Sequence, residues 1–181
     1  KIREQLTTPA GVFDVTIVGA ANRPRHADDH SESSSPGRGS SSATWAPPAS
    51  PTAATSLCIV QQQGWRFQNI LFDCPVDAAA LRLNRDAGAD DAERDASHTS
   101  VYGCRFASGL IGIQNAGGAS FCHVAGNVFH LLTESGGAGI KCTSTSVAVP
   151  LTWLIEHNHF HNNASHILSS MSYSTIAHNI F

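Results

Sequence analysis

The chain has 181 residues, 41% hydrophobic and 14% charged, with a formal net charge of −3. That length sustains one domain with a continuous core, and the charged share lies well below the roughly 25% usual for soluble domains. There is no run of Lys or Arg, so the electrostatic footprint of a nucleic-acid binder is missing. No apolar stretch approaches the roughly 18 to 20 residues that span a membrane as a helix, and the N-terminus does not read as a signal peptide.

In chain order, strand patterns occur at Ile2–Leu6 and Asp14–Val18, separated by Thr-Pro-Ala-Gly turn chemistry. Residues 21–54 are rich in Ser, Pro, Ala and Gly and lack the apolar surface to order themselves. They read as a loop excursion lying outside the strands. Strand patterns resume at Leu57–Gln61, Trp65–Phe72 and Ala79–Leu83. A second excursion, 85–97, holds five of the fourteen acidic residues. Next come Thr99–Phe106, Leu110–Gln114, Phe121–Phe129 and Gly139–Cys142, a third loop over Thr143–Thr152, and then Trp153–Phe160, His166–Ser169 and Thr175–Phe181. No window carries the 3.6-residue periodicity of an amphipathic helix.

Five of these patterns end on phenylalanine: Phe72, Phe106, Phe129, Phe160 and Phe181. Five places before each stands Phe67, Val101, Val124, Ile155 or Ile176, and the last three copies add Asn127, Asn158 and Asn179 two places before the phenylalanine. Intervals of 21 to 34 residues between anchors are too short for domains and suit the turns of a solenoid. Strand alternation puts each anchor and the residue five before it inside, with Trp153 and Ile155 internal and Leu154 and Glu156 external. Asparagine at a bend tolerates left-handed geometry, and stacked Asn side chains bond one another in ladders. The two chain ends show no polar capping unit of the kind a solenoid needs. The expectation is one domain over 1–181, a segment of a longer polypeptide or one whose ends are covered by neighbours.

The phrases VAGNVF, IEHNHF and IAHNIF resemble rungs of the pectate-lyase-like right-handed parallel β-helix superfamily. The opening KIREQLTTPAGVFDVTIVGAANRPRH is similar to the first coils of such proteins. The resemblance implies an all-β, single-stranded, right-handed parallel β-helix of about seven coils with long outward loops. The Ser- and Ala-rich insertions and the missing secretion signal look most like β-helix proteins of bacteriophage virions. That implies a tail spike, fibre or other virion surface module, made in a reducing host cytoplasm and assembled as a homotrimer or against virion neighbours. A secreted protein whose targeting segment lies outside this chain is the alternative. Five cysteines without a CxxC pair are read as free, buried thiols, in keeping with a reducing compartment.

The same scaffold carries binding surfaces and lyases, hydrolases or esterases acting on polysaccharides. Strand-borne carboxylates are few, and Asp73, Arg105 and Glu156 are the candidates for catalysis. An isolated Asp–Arg pair is more often a surface ion pair. For glycan contact the candidates are Trp45, the tryptophan placed in a polar loop, and His130, His157, His159 and His161. Seven of ten histidines follow residue 120. Matching offsets pair His130 with His161 and His157 with His178, as ligand-contacting, pH-responsive or simply solvated positions. Trp65 and Trp153 read as core.

No cofactor is expected. His26-Ala-Asp-Asp-His30 and the alternating Asp91, Glu93 and Asp95 raise metal or calcium binding, but the latter lacks the glycine and distal glutamate of an EF-hand. Solvated loops are the plainer reading. Three function classes stay open: a glycan-binding virion module, a polysaccharide-degrading enzyme using the same groove, and an architectural component without a ligand.

Overall fold

The computed structural model describes residues 4–19, 43–47, 55–84, 95–142 and 150–181. Among them there are no helices, and seventeen short strands form three parallel sheets. Sheet I contains β1 (Leu6–Thr7), β4 (Cys58–Val60), β7 (Ala79–Leu83), β10 (Ile111–Asn115), β13 (Ala138–Cys142) and β16 (Ile167–Ser169). Sheet II contains β2 (Thr16–Val18), β5 (Arg66–Gln68), β8 (Ser100–Tyr102), β11 (His123–Ala125), β14 (Leu154–Glu156) and β17 (Thr175–Ala177). Sheet III contains β3 (Thr44–Trp45), β6 (Leu71–Asp73), β9 (Arg105–Ala107), β12 (Val128–His130) and β15 (His159–His161).

Along the chain the strands visit sheets I, II and III in unbroken rotation, and each pairs in parallel with the strand three places on. This is consistent with a parallel β-helix or solenoid. Parallel pairing requires a crossover between consecutive strands of one sheet, and here the crossover is made by strands of the other two. Sheets I and II hold six strands each among the described residues, against about seven coils expected.

Register explains the sequence pattern. On sheet II, Ile17, Phe67, Val101, Val124, Ile155 and Ile176 lie side by side. On sheet III, Trp45, Phe72, Phe106, Phe129 and Phe160 do the same. The phenylalanine rings form one column, with centroids 4.8 Å apart from Phe72 to Phe160 and 5.3 Å from Phe160 to Phe181. That spacing is the distance between neighbouring strands of about 4.8 Å, so backbone pairing brings the rings into contact without adjustment. Each buried ring contributes about 1.5 to 3 kcal/mol of transfer free energy.

The column presses on sheet I so closely that two positions there carry no side chain. A Cβ on Gly112 would come within 2.8 Å of the Phe129 ring, and one on Gly139 within 2.8 Å of the Phe160 ring. Beside the aromatic column runs the asparagine ladder. Asn127 donates from Nδ2 to Asn158 Oδ1 at 2.9 Å, and Asn158 donates in turn to Asn179 Oδ1 at 3.0 Å. The same oxygens accept the backbone N–H of Asn127 and Asn158, each at 2.9 Å. The second Nδ2 protons go to the carbonyls of Val101, Val124 and Ile155. Asn127 and Asn158 are 1% exposed, and every buried amide proton has a partner, as burial requires.

Left-handed backbone appears at the three corners in register, not at the asparagines themselves. Asp14, Gly64, His98, Phe121, Thr152 and Tyr173 have φ between 53° and 75° at the corner before sheet II. Asn69, Gly103, Gly126, His157 and His178 have φ of 54° to 64° at the corner before sheet III. Ser108, Leu131 and Asn162 repeat this after sheet III. The ladder asparagines therefore stand at the bend, one position after the left-handed residue. A non-glycine residue there costs about 1 to 2 kcal/mol, offset by strand pairing on both sides.

Two loop boundaries also change. Within 21–54, Thr44–Trp45 returns to pair with Leu71–Phe72 as β3. The 85–97 excursion ends earlier than expected, since Ala96 and Ser97 are buried. All five thiols are free and buried. Burial pushes Cys58, Cys104 and Cys142 up to about 12 and raises Cys74 and Cys122 as well.

Candidate functional site

Alternation on sheet II turns Val101, Val124 and Ile155 inward, so the residue after each faces out. Tyr102, Ala125 and Glu156 thereby lie side by side on β8, β11 and β14. The middle member is a methyl group, too short to meet either neighbour's polar end. His123, two residues earlier on the same outer face of β11, bonds to both. Its Nδ1 lies 2.9 Å from the Tyr102 hydroxyl and its Nε2 lies 2.9 Å from Glu156 Oε1. The tyrosine and imidazole rings meet edge to face at 5.1 Å.

An ionised carboxylate only accepts, so Nε2 carries the proton toward Glu156, and neutral imidazole then accepts the Tyr102 O–H at Nδ1. The three groups form a continuous relay, carboxylate to imidazole to phenol. His123 and Glu156 side chains are 31% and 27% exposed, open enough for a ligand and enclosed enough to stay oriented. Each bond contributes about 1 kcal/mol net. Glu156 Oε2 also stands 4.0 Å from His157 Nε2, so the relay borders the corner histidines.

A second polar cluster lies on the outer face of sheet III. His130 and His161 are in register, with rings 5.1 Å apart, and His159 is tilted against His161 at 6.0 Å. At the adjoining corner His157 and His178 stack at 5.1 Å. Partial burial, then the charges of Arg105, His161 and His159, hold His130 below the ordinary histidine range. Arg105 is in register with Leu71 and Val128, while Asp73 is in register with Ala107. Asp73 and Arg105 are thus diagonal neighbours on β6 and β9.

Trp45 is a correction. It is 3% exposed, stacks on Phe72 at 5.9 Å and donates from Nε1 to the Glu4 carbonyl at 2.9 Å. It is the first ring of the inner column and offers no face to a sugar. Trp65 and Trp153 are buried too. Asp95 Oδ1 accepts the Ser97 N–H at 2.7 Å and so caps a turn. His26, His30, Asp91 and Glu93 lie outside the described residues. Among the described residues no group of three or more His, Cys, Asp or Glu is placed to hold a metal ion, and no helix is long and apolar enough to cross a membrane.

The relay joins one residue singled out from sequence, Glu156, to two that were not, His123 and Tyr102. The offset four places before an anchor aligns Tyr102, Ala125 and Glu156, and His123 enters from the neighbouring outward position, six places before Phe129.

No family model matches this chain, and neither the curated proteins nor the solved structures contain a match.

Proposed function

We propose that the chain is a right-handed, single-stranded parallel β-helix of pectate-lyase-like architecture, acting as a rigid surface module that presents the outer face of sheet II to a polysaccharide. Right-handed crossovers between parallel strands are the near-universal choice, and the rotation through three sheets gives each sheet an outer face. The observation that carries the functional reading is the Tyr102–His123–Glu156 relay. It sets an aromatic ring and two acceptors, the Tyr102 oxygen and the second Glu156 carboxylate oxygen, on one half-exposed surface, so that ligand hydroxyls can donate to it beside an apolar ring. A phage tail spike, fibre or other virion surface protein is the setting that the rung resemblance and the Ser-rich insertions favour.

The relay also supports a second reading, a polysaccharide-degrading enzyme. Transfer of the phenol proton to His123, with Glu156 stabilising the imidazolium, would make Tyr102 a general base toward substrate. The test is incubation of the full chain with capsular and cell-wall polysaccharides, following retention, reducing ends and absorbance of unsaturated products. Retention without turnover, lost in Tyr102→Ala and Glu156→Gln, is the expected result. Product formation abolished by those substitutions would replace the module with the enzyme. Neither retention nor turnover would leave an architectural role.

A further inference from the structure

The outer face of sheet III carries a site distinct from the relay. His130 on β12 and His161 on β15 are neighbours across paired strands, their rings nearly parallel at 21° and 5.1 Å apart. His159 lies 6.0 Å from His161 and is tilted by 56°. All three are half-buried. Rings stacked face to face cannot hydrogen-bond each other, so their N–H edges are directed away from the stack.

We propose that His130, His159 and His161 form an acid-gated binding site for a tetrahedral oxyanion, the phosphate or sulfate group of an ester ligand. Three imidazoles grouped on one outer face offer, when protonated, several N–H donors and positive charge together, which a tetrahedral dianion matches more fully than a singly charged carboxylate. The charged and titratable groups around the cluster favour the same sign. Arg105 lies on β9 next to β12. His157 and His178 stack at the adjoining corner. Of the carboxylates, Asp73 is a further strand away on β6, and Glu156, on sheet II, is engaged by His123 at 2.9 Å through one oxygen and stands 4.0 Å from His157 through the other.

Imidazoliums repel at 5.1 Å between His130 and His161, and His159 stands 6.0 Å from His161, so His130 gains a proton less readily in the free cluster. The depressed His130 value, caused first by burial and then by Arg105, His161 and His159, agrees with that. A bound dianion supplies the missing countercharge, so binding takes up protons and affinity rises as pH falls through the histidine range.

Sulfate is the cleaner probe because phosphate itself titrates near pH 6 to 7. Calorimetric titration of the full chain with sulfate should show at least about tenfold tighter binding at pH 5.5 than at pH 8, the equivalent of one charge-assisted hydrogen bond. His130→Gln and His161→Gln, both outward substitutions, should each weaken binding at pH 5.5 by a similar factor. His161→Arg, charged at any pH, should bind sulfate at pH 8. Glucose 6-phosphate and glucose 6-sulfate then tell which ester is preferred, and binding of either sustains the site. Equal affinity at the two pH values, full binding in both Gln variants, or no binding at pH 5.5 would overturn the proposal. Equal binding of acetate would overturn the ligand class. Tyr102→Phe should leave sulfate binding intact, so a failure of the sheet II reading and a failure of this one give different results.

Discussion

The inner face of sheet III and the outer face of sheet II use the same strand spacing to opposite ends. Inside, Trp45, Phe72, Phe106, Phe129 and Phe160 repeat one kind of side chain at one position. Outside, the column Gln68, Tyr102, Ala125, Glu156 and Ala177 changes character at every step. Repetition lets each strand add the same contact, so the inner column sets stability. Variation places a carboxylate and a phenol either side of a small alanine, within hydrogen-bond reach of His123 two residues earlier on β11, so the outer face sets chemistry. Substitutions on the two faces should therefore separate stability from binding.

The largest expected effect is inside. Phe129→Ala opens the middle of the aromatic column, where the ring is fully buried between Phe106 and Phe160. It should lower unfolding free energy by about 3 to 5 kcal/mol in urea denaturation. Asn158→Ala should follow at about 2 to 3 kcal/mol by the same measurement. It removes the acceptor of the Asn127 backbone and side-chain amides, leaving buried donors unsatisfied. A loss under about 0.5 kcal/mol would mean that the ladder is incidental.

Gly112→Ala comes next, since its Cβ would strike the Phe129 ring and the Gly139 carbonyl. About 1 to 3 kcal/mol is expected, and Phe129→Leu in the same chain should recover part of it. On the outer face, Tyr102→Phe should shift stability by only about 1 kcal/mol while abolishing polysaccharide retention. A Tyr102→Phe variant that retained ligand fully would dissolve the contrast between the two faces.

The smallest effect is a pH dependence. His130 titrates below its ordinary value in the folded chain, mainly through burial. The unfolded chain therefore binds its proton first as pH falls, and stability is lost from about pH 6.5 downward until the folded group also protonates. Thermal melts at pH 7.5 and pH 5.5 should show a decrease that His130→Gln reduces.

The parts of this fold that were legible from sequence are those that repeat. The Phe anchors and the five-residue step from sheet II to sheet III recur from Phe67 onward, the Asn positions recur from Asn127, and periodicity found them. Trp45 escaped because the first such step runs from Ile17 to Trp45 through a polar insertion, and because its ring is indole where the others are phenyl. The corners escaped for a different reason. Phe121, Leu131 and Thr152 adopt positive φ although bulky and β-branched residues rarely do. Their conformation is imposed by pairing with neighbouring strands, and composition holds no trace of it. The relay combines both difficulties, since its three members sit at two different offsets on three strands. Only a register worked out for sheet II brings them together.

Five thiols sealed in the interior give the molecule a built-in record of its own breathing. Held as neutral S–H groups, they are poor nucleophiles at physiological pH, so a maleimide reagent should reach each one only when its surrounding strands part. Because they are distributed from Cys58 to Cys142, the order in which they are labelled would report which stretch of the stack opens first.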